Sequence, residues 1–376
     1  MKSTLWIGGI VILLGGCSTH TVVPRTSLSD ANLSLRVADG SRDPYCCTLP
    51  QELEVTLPEW GPKVSDLERF EQSVVPYAEQ NAPEHENYLE IQKSFETAYY
   101  RPWGHTVPPT TVQDASWPVR AFQGGYGSNL QPLLPSWFRE MEMQSNFEEY
   151  GTLNQKGVAL RWMNLRALPT EKPLYRDPSL PGEGYPFDLL QNSSVNYHEP
   201  LFISHTSKDG AWSYVFTNSA SGWVPSDGIA ALDDAMVDTV LRSEKLFVFE
   251  DNVPVYDSFN RFVTYSRIGM VLPLEKEQQH EYYALAYDGN GSFKSVSVPK
   301  SAARIGISRL NKEDLIRLGE QMLKNTYGWG GMYGERDCSA MIRDMYTPFG
   351  IWLPRNSSAQ AGKGEVISFE GLSNGE

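Results

Sequence analysis

Cys338 is the residue best placed to do chemistry in this chain of 376 residues. It follows Asp337, a residue type that caps helices. Met341, Ile342, Met345 and Tyr346 then recur on one helical face, and Pro348 and Gly350 close the helix. The cysteine thus opens a helix, where backbone N–H groups and the positive end of the helix dipole stabilise negative charge. A cysteine's thiolate is its nucleophilic form, so the expected chemistry is attack on an electrophilic carbon. Gly328, Gly330, Gly331 and Gly334 lead up to Cys338, and their missing side chains predict close backbone approach to the sulfur. A single cysteine at a helix start is more often a small buried residue, so this position alone does not make a nucleophile.

A base for that nucleophile is hard to find. The six histidines are His20, His85, His105, His198, His205 and His280, and all precede Cys338. His205 alternates with Ile203 along a strand pattern, which predicts a surface or satisfied core position. His280 sits in the charged turn Glu275 to Glu281 and should be solvated. Cys46 and Cys47 are adjacent, a pairing that can bridge only in a strained ring, and two ordinary thiols are expected. No further Cys or His stands at ligand spacing, so neither a metal nor a cofactor is expected.

The elements that must position Cys338 change period along the chain. Residues 1–17 read as an export signal: Lys2 supplies the positive start and Leu5 to Leu14 an apolar core too short to span a bilayer. Residues 18–52 are polar and aperiodic, a linker. Residues 53–150 are expected to be helical with proline-rich loops, with Phe95 and Tyr99 on one apolar face and Trp137, Phe138 and Met141 on another. From Gly151 the period becomes two: Val158 to Leu165, Leu201 to Thr206, Trp212 to Thr217 and Gly222 to Val224 form one strand set, within 151–240. Lys245 to Phe249, Val253 to Tyr256, Phe262 to Tyr265, Tyr282 to Tyr287 and Ser295 to Val298 form a second, within 241–307. Both sets suit small barrels. Helical period returns at Asn311, a cap with Asp314 behind it, and Leu315, Leu318, Met322 and Leu323 form its apolar stripe. The net charge of -14, without a Lys/Arg-rich run, argues against a nucleic-acid partner.

Tyr327-x-Trp329-Gly330-Gly331, then Asp337-Cys338-Ser339, then Leu353-Pro354-Arg355-x-Ser357-x-x-Gln360 resembles the NlpC-type cell-wall cysteine peptidases, which are papain-like. The resemblance implies an α+β multidomain protein: a helical N-terminal stabilising region, two SH3-like β-barrels, and a peptidase domain beginning near residue 308 and occupying 308–376. It implies hydrolysis of γ-D-glutamyl–diamino acid bonds in peptidoglycan stem peptides, with Cys338 as nucleophile. It further implies that Asp337, Ser339 and Ser357 bind the D-glutamyl part and that Tyr327 and Trp329 line the cleft, while Arg355 and Gln360 do structural work. Leu14-Gly15-Gly16-Cys17 resembles the bacterial lipoprotein box, which implies a lipid anchor on Cys17. Ser18 after it resembles lipoproteins sorted to the outer membrane, on the periplasmic face. Members of the family carry their base histidine downstream of the cysteine, and no histidine lies between Cys338 and Glu376. The expectation is therefore a peptidase domain incomplete in this chain, and no hydrolysis by it. The second reading is a non-enzymatic peptidoglycan-binding lipoprotein with a degenerate peptidase remnant. A papain-like acyltransferase is disfavoured by the paired D-C-S and L-P-R-x-S motifs.

Overall fold

A computed structural model describes residues 87–364, together with residues 33–35, 53–55 and 75. The expectations at Cys17 and at Cys46 and Cys47 lie outside the described residues. Leu33–Leu35 (β1) and Leu53–Val55 (β2) pair antiparallel. They fall where a linker and the start of a helical stretch were expected. Among the described residues no helix is long and apolar enough to cross a membrane.

The helical N-terminal region has two longer helices, α1 (Tyr88–Tyr99) and α2 (Pro135–Gln144), with short turns of helix between them. Phe95 and Tyr99 are buried on α1, and Phe138 and Met141 on α2, as their spacing predicts.

Two antiparallel sheets follow. The first holds β3 (Gln155–Ala159), β4 (Met163–Arg166), β5 (Gln191–Val195), β6 (Pro200–Thr206), β7 (Trp212–Phe216), β8 (Ser221–Pro225) and β9 (Ile229–Ala231) in the order β5-β4-β8-β7-β6-β3-β9. Its inner face packs Met163, Leu165, Val195, Leu201, Ile203, Val215 and Val224. Its outer face carries Phe202, Tyr214, Phe216 and Trp223, and there the N-terminal region covers it with Ala115, Phe147 and Tyr150. Both faces are therefore dry, and β6 is buried along all but its last residue, including Ser204 and His205. His205 sits on the covered outer face, fully buried. Its Nε2 lies 3.1 Å from the Ser145 carbonyl, and the rings of Tyr214 and Trp223 pack beside it.

A helix, α3 (Asp234–Arg242), separates the sheets, opened by an Asp233 side chain that accepts from Met236 N–H at 2.8 Å. The second sheet holds β10 (Lys245–Val248), β11 (Pro254–Asp257), β12 (Phe262–Tyr265), β13 (Val271–Glu277), β14 (Glu281–Tyr287), β15 (Phe293–Pro299) and β16 (Ala303–Ile305). Its order is β12-β11-β15-β14-β13-β10-β16, so β12 is an edge strand. Its core includes Tyr197, contributed by the loop after β5 of the first sheet.

The C-terminal part is helical where described: α4 (Lys312–Met322), α5 (Cys338–Tyr346) and α6 (Ser357–Ala361). Asn311 caps α4, accepting from Asp314 N–H at 2.8 Å. Leu315, Leu318 and Met322 are buried, but Leu323 falls at the C-cap and stays exposed, because the last turn carries it off the stripe.

Candidate active site

Cys338 is the first residue of α5 and its thiol is exposed. The residues on either side of it are buried and held. Asp337 caps the helix, accepting from Ala340 N–H at 2.8 Å. Arg355 clamps the same carboxylate with both ends of its guanidinium, at 2.5 and 3.1 Å. It also donates to Ser339 Oγ at 2.9 Å and, through Nε, to Ser193 Oγ of β5 at 2.7 Å. Burial by itself would raise the Asp337 carboxyl. The Arg355 hydrogen bonds and charge, with the Ala340 N–H, instead hold it below the ordinary carboxylate range. Ser357 opens α6, half-buried, and that helix is tied to the site by Gln360, whose amide donates to the Ser339 carbonyl at 2.9 Å. Arg355 and Gln360 thus do structural work, and they do it on the residues flanking the thiol.

The glycine-rich approach serves a different neighbour from the sulfur. Gly330 and Gly331 adopt left-handed backbone, φ 58° and 85°. A Cβ on Gly330 would stand 2.6 Å from the Gln191 carbonyl oxygen, and one on Gly331 would stand 2.5 Å from Ser194 Oγ. The glycines therefore let this loop lie directly on β5 of the first sheet. Gln191 completes the junction, its amide donating to the Gly330 carbonyl at 3.1 Å while Arg166 donates to its side-chain oxygen at 2.8 Å. Trp329 is half-buried, with its indole N–H on the Asp188 carbonyl at 3.0 Å and its ring edge-on to Phe187. Tyr327 is exposed and bridges to Arg336, just ahead of Asp337.

The second sheet grips the other side of the same loop. Arg336 is bidentate to Asp251 at 2.7 and 2.9 Å and donates to Asp344 at 2.8 Å. Arg267 donates to Asp344 at 3.1 Å and to the Gly334 and Glu335 carbonyls. Burial would raise the Asp344 carboxyl, but Arg267, Arg336 and Arg343 hold it below its ordinary range.

The structure thus brings Tyr327, Trp329, Asp337, Cys338, Ser339 and Ser357 into one region. Sequence reasoning missed Asp188, Gln191 and Ser193, which border it from the first sheet. No local pattern marks them, since their partners are more than a hundred residues away. The described histidines are engaged elsewhere: His205 as above, His105 against Phe202, His198 buried beside Tyr197, and His280 in an exposed turn. Among the described residues, no group of three or more His, Cys, Asp or Glu side chains is arranged to hold a metal.

Comparison with known families matches residues 324–376 to the NlpC/P60 family. Residues 6–150 match the N-terminal NlpC/P60 stabilising domain, 173–225 an SH3 domain of SH3b1 type and 238–279 an SH3 domain of SH3b2 type. The chain thus carries an NlpC/P60 domain preceded by two SH3b domains. Among solved structures, an NlpC/P60 endopeptidase from Photobacterium damselae subsp. piscicida superposes with a TM-score of 0.62 at 24% identity, covering 74% of this chain and 66% of that one. The chain therefore spans just under two thirds of that protein, and the likeness is one of fold. An NlpC/P60 family protein from Bacillus cereus ATCC 10987 gives a TM-score of 0.44 at 20% identity, over 58% of this chain and 81% of that one. A search of curated protein sequences found no match. The two sheets fall where the two SH3 domains match, in an α+β fold.

Proposed function

We propose that this protein acts on peptidoglycan as a cysteine peptidase of the γ-D-glutamyl–diamino acid bond in stem peptides. The observation that carries the reading is the exposed Cys338 thiol between two buried residues, Asp337 and Ser339, both locked by Arg355. A nucleophile so presented keeps its polar neighbours in register with a bound substrate. In this mechanism the Cys338 thiolate adds to the amide carbonyl, with the Cys338 backbone N–H on the developing oxyanion. The C–N bond breaks, the leaving amine takes a proton from a general acid, and water hydrolyses the thioester. Asp337, Ser339 and Ser357 would hold the D-glutamyl group, and Tyr327 and Trp329 would wall the cleft.

No described histidine serves Cys338 as base, and this favours a second reading in which the 376 residues bind stem peptides without turning them over. One experiment separates the two. The full chain is treated with L-Ala-γ-D-Glu-diaminopimelate and, in parallel, with an electrophilic analogue of that peptide. Both readings expect selective labelling of Cys338 by the analogue, suppressed by the free peptide, and only the first expects product that Cys338→Ala abolishes. Labelling indifferent to the free peptide would refute both. For the N-terminus we propose lipidation of Cys17 and anchoring at the outer membrane. Mass spectrometry of the mature N-terminus tests this, and cleavage elsewhere with unmodified Cys17 would overturn it.

A further inference from the structure

Asp251 lies in the connection between β10 and β11, and both ends of the loop ahead of Cys338 meet on its carboxylate. Asn325, just before the loop, donates to Oδ2 at 3.0 Å. Arg336, which ends the loop, donates to Oδ2 at 2.7 Å and to Oδ1 at 2.9 Å. The Ile268 N–H, between β12 and β13, donates to Oδ1 at 2.7 Å. The carboxylate is buried, with its side chain 8% exposed. Burial alone would raise its pKa, but the Arg336 hydrogen bonds and charge hold it below the ordinary carboxylate range. It is therefore a charged clamp at neutral pH.

The loop between those ends has little regular structure of its own. Gly330, Gly331 and Tyr333 take left-handed backbone, and Met332 is extended. The backbone closes short turns, Gly331 N–H onto the Gly328 carbonyl at 2.9 Å and Glu335 N–H onto the Met332 carbonyl at 3.0 Å. Gly328 N–H reaches the Arg336 carbonyl at 3.0 Å, tying the two arms at their base. A loop of this kind takes its shape from where its ends are fixed, and a site built on it is only as well defined as that support. This one carries Tyr327 and Trp329, and it ends two positions before the thiol.

Arg336 keeps a second anchor, Asp344 on α5 at 2.8 Å, so it stays tied to the Cys338 helix even if Asp251 is neutralised. What Asp251 adds is the register of one loop end against the other.

We propose that Asp251 is a positioning residue of the Cys338 site: by holding Asn325 and Arg336 together, it sets the loop that presents Tyr327 and Trp329 to a bound stem peptide. The second sheet thereby governs peptide affinity through a buried carboxylate. The part played by the two aromatic residues rests on the peptidase reading above, and the dependence of the loop on Asp251 does not.

The test uses the full chain in two variants. Asp251→Asn removes the charge and keeps the shape, and Asn325→Ala frees one loop end without stranding a buried charge. Cys338 is labelled by the electrophilic stem-peptide analogue, which must fit the cleft, and separately by iodoacetamide, which need not. The half-saturating analogue concentration should rise about tenfold in Asp251→Asn and about threefold in Asn325→Ala, with iodoacetamide rates within about twofold of wild type. An unchanged half-saturating concentration in both variants would overturn the proposal. So would equal slowing of both reagents, which marks a general loosening of the fold. Hydrogen exchange reads the loop without substrate. The Gly328 and Gly331 amides should exchange about tenfold faster in Asp251→Asn, with the amides of β5 to β8 unchanged. If wild-type labelling proves indifferent to free peptide, the peptidase reading falls and the exchange result decides. Faster loop exchange then leaves the Asp251 clamp standing, and exchange equal to wild type refutes it.

Discussion

Replacing Arg355 by methionine should loosen the candidate active site through one buried charge. Arg355 is 6% exposed and Asp337 9%, and the pair is the most heavily bonded part of the site. Without the guanidinium, the Asp337 carboxylate keeps Ala340 N–H at 2.8 Å and Ser339 Oγ at 3.1 Å, and loses its counter-charge. Breaking a buried pair by removing one partner costs about 3–5 kcal/mol. The two surviving hydrogen bonds place this case near the lower end, about 3 kcal/mol. At an m-value of about 2 kcal/mol/M that is a loss of about 1.5 M in the urea midpoint. Trp329 and Trp352 fluorescence report the transition in this part of the chain. Adding Asp337→Asn removes the stranded charge yet keeps a good N-cap residue, and should recover about half of the loss. The pH dependence has a definite sign. Because Arg355 holds the Asp337 carboxyl low, its stabilisation is present above the ordinary carboxylate range and is lost as pH falls through the lowered value. The gap between wild type and Arg355→Met should therefore narrow in acid. A loss under about 1 kcal/mol at pH 7, or no recovery in the double variant, would refute the argument.

Gly331→Ala should destabilise the protein by about 1–3 kcal/mol, since it adds a Cβ 2.5 Å from Ser194 Oγ at a φ of 85°. A thermal melt unchanged from wild type would show that β5 and the loop do not press together as described. His198 is buried with its pKa pulled to about 4 by desolvation, from an ordinary value near 6.5. In the unfolded chain it protonates first as pH falls, so stability drops by about 2 kcal/mol between pH 7 and pH 5. His198→Asn suits the left-handed backbone there, φ 61°, and should remove that share of the acid sensitivity. Equal acid losses in urea melts of both proteins would count against it.

Sequence period and capping placed the elements around the thiol. Asp337 ahead of an apolar stripe predicted α5, and Asn311 with Asp314 predicted α4, because caps and stripes act within a turn or two of helix. Other elements escaped. The apolar run from Val158 to Leu165 is two strands, β3 and β4, split by a turn, and β5, Gln-Asn-Ser-Ser-Val, lacks the alternation that marks a strand. Helix α3 went unread although Asp233, Val237 and Val240 carry its signature.

The sequence alone determined that Cys338 opens a helix, that its flanking residues are Asp337 and Ser339, and that two strand sets precede it. Those properties depend on neighbours a few residues away, within the reach of backbone hydrogen bonding. Only the tertiary structure decided what the surrounding residues meet. It turned the glycines toward β5 and joined Arg355 to Ser193 across 162 positions. Contacts at that separation depend on how whole sheets pack, and side-chain type and local spacing carry no record of it.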